Sequence, residues 1–238
     1  MTLTAVAFLN GLSDTCIVLL GIFYFFKFLI DYGKHKKKLT PFLALLALSL
    51  GLMHLGGAVA FIMKVFWQQD IPINLFGFLS YVHIPFGLSL AIYLGFDVFT
   101  PKLKWWVVGI HILMGIVLIT ALIVSPDIQL DTRLEPTTIN ELRDINIKHI
   151  VGTINTGFLI SAVLSLGYNF LRIRTKMKDD EKILKKKSLL LGIGWMVWGV
   201  AEFLCTFNFV KITIIPNSII FGALIIIFLG FAPLKDDK

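Results

Sequence analysis

The chain has 238 residues, of which 57% are hydrophobic and only 16% charged, with a formal net charge of +7 and a mean hydropathy of +0.84. That composition excludes an ordinary soluble domain. It also removes the usual reading of a basic chain: there is no basic surface domain to hold a nucleic acid, so no nucleic-acid partner is expected.

A helix needs about 20 apolar residues to cross a bilayer, and the sequence offers seven such stretches. The expected fold is therefore all-α: a polytopic, single-domain membrane protein with seven transmembrane helices. The first span covers about 5–30, ending with Tyr24 and a snorkelling Lys27. The segment before it lacks the positive region of a signal peptide, and the apolar run is longer than a signal's core, so the span is expected to be retained. The basic turn Lys34-His35-Lys36-Lys37-Lys38 leads to a second span at about 41–63, with Pro41 suited to a first turn. Trp67 marks its exit, and a third span follows at about 73–96, where Pro85 should free backbone carbonyls. Trp105-Trp106 opens a fourth span at about 105–125.

The one long connection covers 126–148. Thr138-Ile139-Asn140-Glu141 fits a capping box, which predicts a short helix with Ile139, Leu142 and Ile145 as its apolar stripe. The fifth, sixth and seventh spans are placed at about 149–171, 189–207 and 213–232, with the basic loop Arg172–Ser188 between the fifth and sixth. Loops after spans one, three and five, together with the C-terminus, hold about seventeen of the 22 lysines and arginines, and basic residues collect on the cytoplasmic side. This puts the N-terminus and the long loop outside, the C-terminus inside, and the protein in the cell membrane.

Two stretches of the chain resemble each other. Lys36-Lys37-Lys38 leads into a span carrying His54, and Lys185-Lys186-Lys187 leads into a span carrying Glu202 at almost the same distance. Ile71-Pro72-Ile73-Asn74 and Ile215-Pro216-Asn217 follow them. Spans one to three then match spans five to seven in the same orientation, with span four as connector, which is a parallel repeat. This three-plus-one-plus-three layout resembles the broad group of microbial rhodopsins, seven-transmembrane sensor domains and small sugar facilitators. Two departures narrow what the resemblance implies. The middle of span seven reads Gly222-Ala223-Leu224-Ile225-Ile226-Ile227, without the retinal-linking lysine of the rhodopsins, and Lys211 lies before the span, so no retinal is expected. The facilitators carry prolines inside spans one, two, five and six, and here only Pro41 qualifies, at a helix start.

Ionisable groups inside a bilayer cost several kcal/mol and mark function. Asp14 lies in the outer part of span one, with Asn10 a turn above it, and Glu202 lies at a similar depth in span six. Trp198 and Trp195 share the face of Glu202. With Asn155 and Asn217 they are expected to line a polar, outward-facing cavity floored by tryptophans that binds a small molecule; interhelical hydrogen bonding alone is the simpler alternative. His54 and His83 fall at one mid-membrane depth and join the site as proton partners. They are also the only pair fit to ligate a haem b, with Gly56 and Gly57 leaving room. His111 and His149 do not match as a second pair.

No phosphate loop, nucleophile elbow or His-x-x-x-His spacing occurs, so neither an enzyme nor a metal site is expected. Cys16 and Cys205 read as small buried hydrophobes. The glycine sets Gly51, Gly56, Gly57 and Gly192, Gly194, Gly199 read as close-packing faces. The leading reading is a receptor-like or sensory protein, with Arg172–Ser188 as a cytoplasmic contact for a separate partner. A facilitator for a small polar or cationic solute, and a haem electron carrier, are the alternatives.

The orientation is tested by single cysteines in a cysteine-free background. Labels at Thr2 and Glu135 are expected to react from outside the cell, and a label at Lys182 only after permeabilisation. The reverse pattern overturns the topology.

Overall fold

The computed structural model describes residues 3–134, 142, 144–178, 181–206 and 214–231. Its helices are α1 (Ala5–His35), α2 (Thr40–Leu52), α3 (Leu55–Trp67), α4 (Ile73–Tyr81), α5 (His83–Phe99), α6 (Lys104–Val124), α7 (Pro126–Gln129), α8 (His149–Ala162), α9 (Asn169–Lys176), α10 (Lys182–Thr206) and α11 (Ile214–Phe231). A π-helical stretch, Val163–Tyr168, joins α8 to α9. Six continuous segments are long and apolar enough to cross a membrane, and the bent pair α2–α3 makes a seventh if counted as one span.

Local chemistry explains where several of these helices begin and end. Thr4 Oγ1 accepts the amide of Ala7 at 3.2 Å and caps α1. Lys36, at φ 52°, turns left-handed and stops it. Pro41 stands in the first turn of α2. Pro85 also falls in a first turn, that of α5, because the third segment is interrupted at Val82. A proline there has no N–H to offer the carbonyl of Tyr81. The interruption thus confines the proline's disturbance to one turn.

The second segment departs from the sequence expectation. An unbroken helix over 41–63 is replaced by α2 and α3, which meet at 51° across Met53-His54. The amide of His54 reaches back only to Gly51 O at 3.2 Å, a three-residue turn, and its φ of −95° and ψ of 8° leave the helical region. No proline is responsible. Gly51, Gly56 and Gly57 flank the break, and each is in tight contact with a neighbouring helix.

Each segment packs on the next along the chain, and α11 closes back onto α1, so the segments form a ring. Glycines set its tightest crossings. A Cβ on Gly51 would lie 2.8 Å from Gly21 Cα of α1, and one on Gly21 would lie 2.7 Å from Gly51 Cα. Gly199 of α10 seats Val163 of the π stretch, and Gly194 seats Ile227 of α11. The outside of the ring is apolar: Leu19, Phe23, Phe26 and Ile30 on α1, and Leu113, Ile116 and Val124 on α6, are exposed. Trp67, Trp105 and Trp106 are exposed near segment ends. Such a continuous apolar surface suits a bilayer and would aggregate in water.

The described ends of the long connection are extended and paired. Leu130–Leu134 (β1) pairs antiparallel with Asp144–Ile147 (β2), and Ile145, assigned to a helical stripe from sequence, instead faces Thr132 across the ladder. Asp144-Ile145-Asn146-Ile147 alternates polar and β-branched residues, a period of two that outweighs the helical reading. The capping-box residues 138–141 lie outside the described residues. The short α7 has its own role: Gln129 Oε1 accepts the amide of Val151 at 3.2 Å and so caps α8. Cys16, read from sequence as buried, is exposed on α1.

The glycine crossing gives a stability test. Gly51→Ala drives a methyl into the backbone of α1 and is expected to cost roughly 1–3 kcal/mol. Gly109→Ala on α6, with nothing within 4 Å, should leave stability unchanged. Chemical unfolding in micelles measures both; equal stability of the two variants removes the crossing as a constraint.

Candidate functional site

The break between α2 and α3 carries His54 into the ring, where two acids meet it. His54 Nδ1 lies 2.8 Å from Asp14 Oδ1 of α1, and His54 Nε2 lies 3.3 Å from Glu202 Oε1 of α10. The first contact is a full hydrogen bond and the second a looser one, so Asp14 anchors the ring. The side chains are 11%, 19% and 16% exposed for His54, Asp14 and Glu202, so the cluster is sheltered but not sealed.

Asn217 of α11 completes the group. Its Nδ2 donates to Asp14 Oδ1 at 2.8 Å and to Ser13 Oγ at 3.0 Å. Its Oδ1 accepts the thiol of Cys205 at 3.7 Å. Ser13 in turn donates to Asn10 O at 2.7 Å. Asp14 Oδ1 therefore has two hydrogen-bond partners, while Oδ2 sits over Gly57: a Cβ there would collide with it. Gly57 is the reason a carboxylate fits between α1 and α3, a role different from the porphyrin clearance inferred from sequence.

The donor count fixes what this cluster holds. An imidazole donates through both nitrogens only as the imidazolium. If it is neutral, one carboxyl must supply the second proton. Either way, two hydrogen bonds require two protons among His54, Asp14 and Glu202, and the group carries one net negative charge. Moving a proton between His54 and Glu202 leaves that charge unchanged. A third proton or a cation would neutralise it, a strong preference in a low-dielectric setting.

The tryptophans stand beside the acid. Residues in a helix are about 100° apart around its axis. On α10, Gly192 and Gly199 face the fifth segment, while Gly194 and Cys205 face α11. Trp195, Trp198 and Glu202 fall between those two directions, toward the ring interior. Trp195 and Trp198 are 0% and 1% exposed, and their rings meet edge to face at 5.4 Å and 84°. Neither Nε1–H has a hydrogen-bond partner among the described residues.

The other residues singled out from sequence are placed as follows. Asn155 is buried in α8. Asn10 lies a turn before Asp14, with its Oδ1 buried and without a partner among the described residues. His83 is half-buried at the start of α5, at the interruption of the third segment. His111 is a bridge: Nδ1 donates to Val107 O at 2.8 Å and Nε2 meets Ser161 Oγ at 2.9 Å, tying α6 to α8. His149 is exposed at the start of α8. Ser13, Gly57 and Cys205 were not read as site residues; Ser13 and Cys205 each lie within three residues of an acid that was. Among the described residues, no group of three His, Cys, Asp or Glu side chains is arranged to hold a metal ion. Compared with protein-family models and with curated proteins, the chain matches none.

The fit of Asp14 over Gly57 can be measured by a double-mutant cycle. Gly57→Ala is expected to destabilise the wild type, and to do so by about 1 kcal/mol less in an Asp14→Ala background. Additive effects in thermal unfolding would mean that the methyl and the carboxylate do not compete for one space.

Proposed function

We propose that this is a receptor-like or sensory multi-pass protein of the cell membrane, N-terminus outside, that binds a small cationic or hydrogen-bond-donating molecule. The observation that carries this reading is the meeting of two acids, Asp14 and Glu202, on the two ring nitrogens of His54 where three segments join, held by Asn217 from a fourth. With the orientation expected from the basic loops, the acids lie in the outer half of the bundle and the ligand arrives from outside. The exposed start of α10, including Lys182, Ile183 and Leu184, then projects into the cytoplasm and supports a contact with a separate partner there.

A second reading, facilitated transport of the same kind of solute, is favoured by the break at Met53-His54. Discontinuous helices with a binding residue at the gap are a device of transporters. A haem carrier on His54 and His83 gains less support, because both ring nitrogens of His54 already face carboxylates.

The test uses n-pentylammonium and its uncharged counterpart 1-pentanol on protein in nanodiscs, with empty nanodiscs subtracted, by calorimetry. The ammonium is expected to bind and the alcohol not. Glu202→Gln and Asp14→Asn should each weaken the ammonium about tenfold, and binding should strengthen as pH rises, since protons compete with the cation. Equal binding of alcohol and ammonium, or indifference to both variants, overturns the reading. Uptake of the ammonium into proteoliposomes separates transport from reception.

A further inference from the structure

The indole N–H groups of Trp195 and Trp198 are the buried donors that the acid cluster leaves unused. A buried donor without an acceptor is costly to a fold, and these two share one face of α10 with Glu202. Their edge-to-face contact relieves one donor at most, because only one of the two rings presents its edge to the other's face. At least one N–H therefore points at nothing the described residues provide. The carboxylates and the indoles also differ in what they ask of a ligand: the acids need positive charge or donors, the indoles need an acceptor.

We propose that the molecule bound here is a small amine that also carries an oxygen acceptor, its ammonium against Asp14 and Glu202 and its oxygen receiving Trp198 Nε1–H, with Trp195 beyond it. This rests on the reading of the acid cluster as a cation site and adds the second half of the ligand. Trp198 lies one helical turn from Glu202, about 6 Å along the axis, and Trp195 lies about 10 Å away. Long side chains on a helix lean toward its N-terminus, so both indoles and the acid lean the same way and the spacing carries over to their tips. A nitrogen and an oxygen separated by a short chain of carbons span that distance. The indole faces add an attraction for the ammonium. Simple alkylamines would satisfy the acids and leave the indole donors as they are.

The experiment compares 4-aminobutanamide with n-pentylammonium, which has similar length and charge but no acceptor, in the same nanodisc calorimetry. Wild type is expected to prefer the amide-bearing amine by about tenfold. Trp198→Phe keeps an aromatic face and removes the N–H; it should erase that preference, while both amines lose equally whatever the weaker aromatic face costs the ammonium. Equal affinity of the two amines for wild type overturns the inference and leaves the cation site standing. A preference that survives in both Trp198→Phe and Trp195→Phe overturns it as well. If neither amine binds wild type, the cation site itself fails and the inference with it. The wild-type comparison decides the matter even if a tryptophan variant does not fold.

Discussion

The structure depends on one contact, that of His54 with Asp14. Charged groups inside a bilayer are tolerated when they face each other or water, and here the facing pair joins the first segment to the second at the only bend sharper than 40° among the described candidate spans. Gly57 then removes the atom that would hold the carboxylate away, and Asn217 fixes the carboxylate from the far side. Three segments are tied through one oxygen, Asp14 Oδ1. Glu202 joins through a longer bond and is the member of the cluster freest to exchange its partner.

That asymmetry links the packing to the proposed chemistry. Asp14 is anchored by two 2.8 Å hydrogen bonds, and a ligand would have to break one of them to replace either partner. Glu202 gives up only a 3.3 Å contact. On the proposed reading, Glu202 is therefore the acid that can turn to a cation at the least cost in existing hydrogen bonds. The glycine crossings matter for the same reason. Gly21 against Gly51 brings α1 onto α2, and Gly194 against Ile227 brings α10 onto α11, the helix that carries Asn217.

Much of this was legible in the sequence, and the reasons differ by element. The long apolar helices could be read because the bilayer imposes a length that no soluble core imposes. Asp14, Glu202 and His54 stood out because ionisable residues are expensive in that setting, and depth counted along each segment put the two acids at one level. The break at His54 was not legible. Leu52-Met53-His54-Leu55 contains no helix breaker, and the cause is tertiary: the bond to Asp14 and the glycines that admit neighbouring helices. The hairpin was missed because a capping-box match outweighed a clear alternation in 144–147. Cys16 was misread because burial in lipid and burial in protein look alike in a sequence.

The same ambiguity explains why the tryptophans are more informative than the phenylalanines. An apolar ring facing lipid and one facing the core satisfy the same chemistry, so most of the 21 phenylalanines carry no signal about function. An indole has a donor that must be placed. At an interface it finds water or a headgroup, as the exposed Trp67, Trp105 and Trp106 are positioned to do. Trp195 and Trp198 are held where neither is available, one and two turns from a buried acid on the interior face of α10. A sequence under no constraint beyond packing would fill those positions with leucine or phenylalanine, which leave no donor behind. On the proposed reading, the acceptor carried by the ligand is what gives a donor in that place its partner.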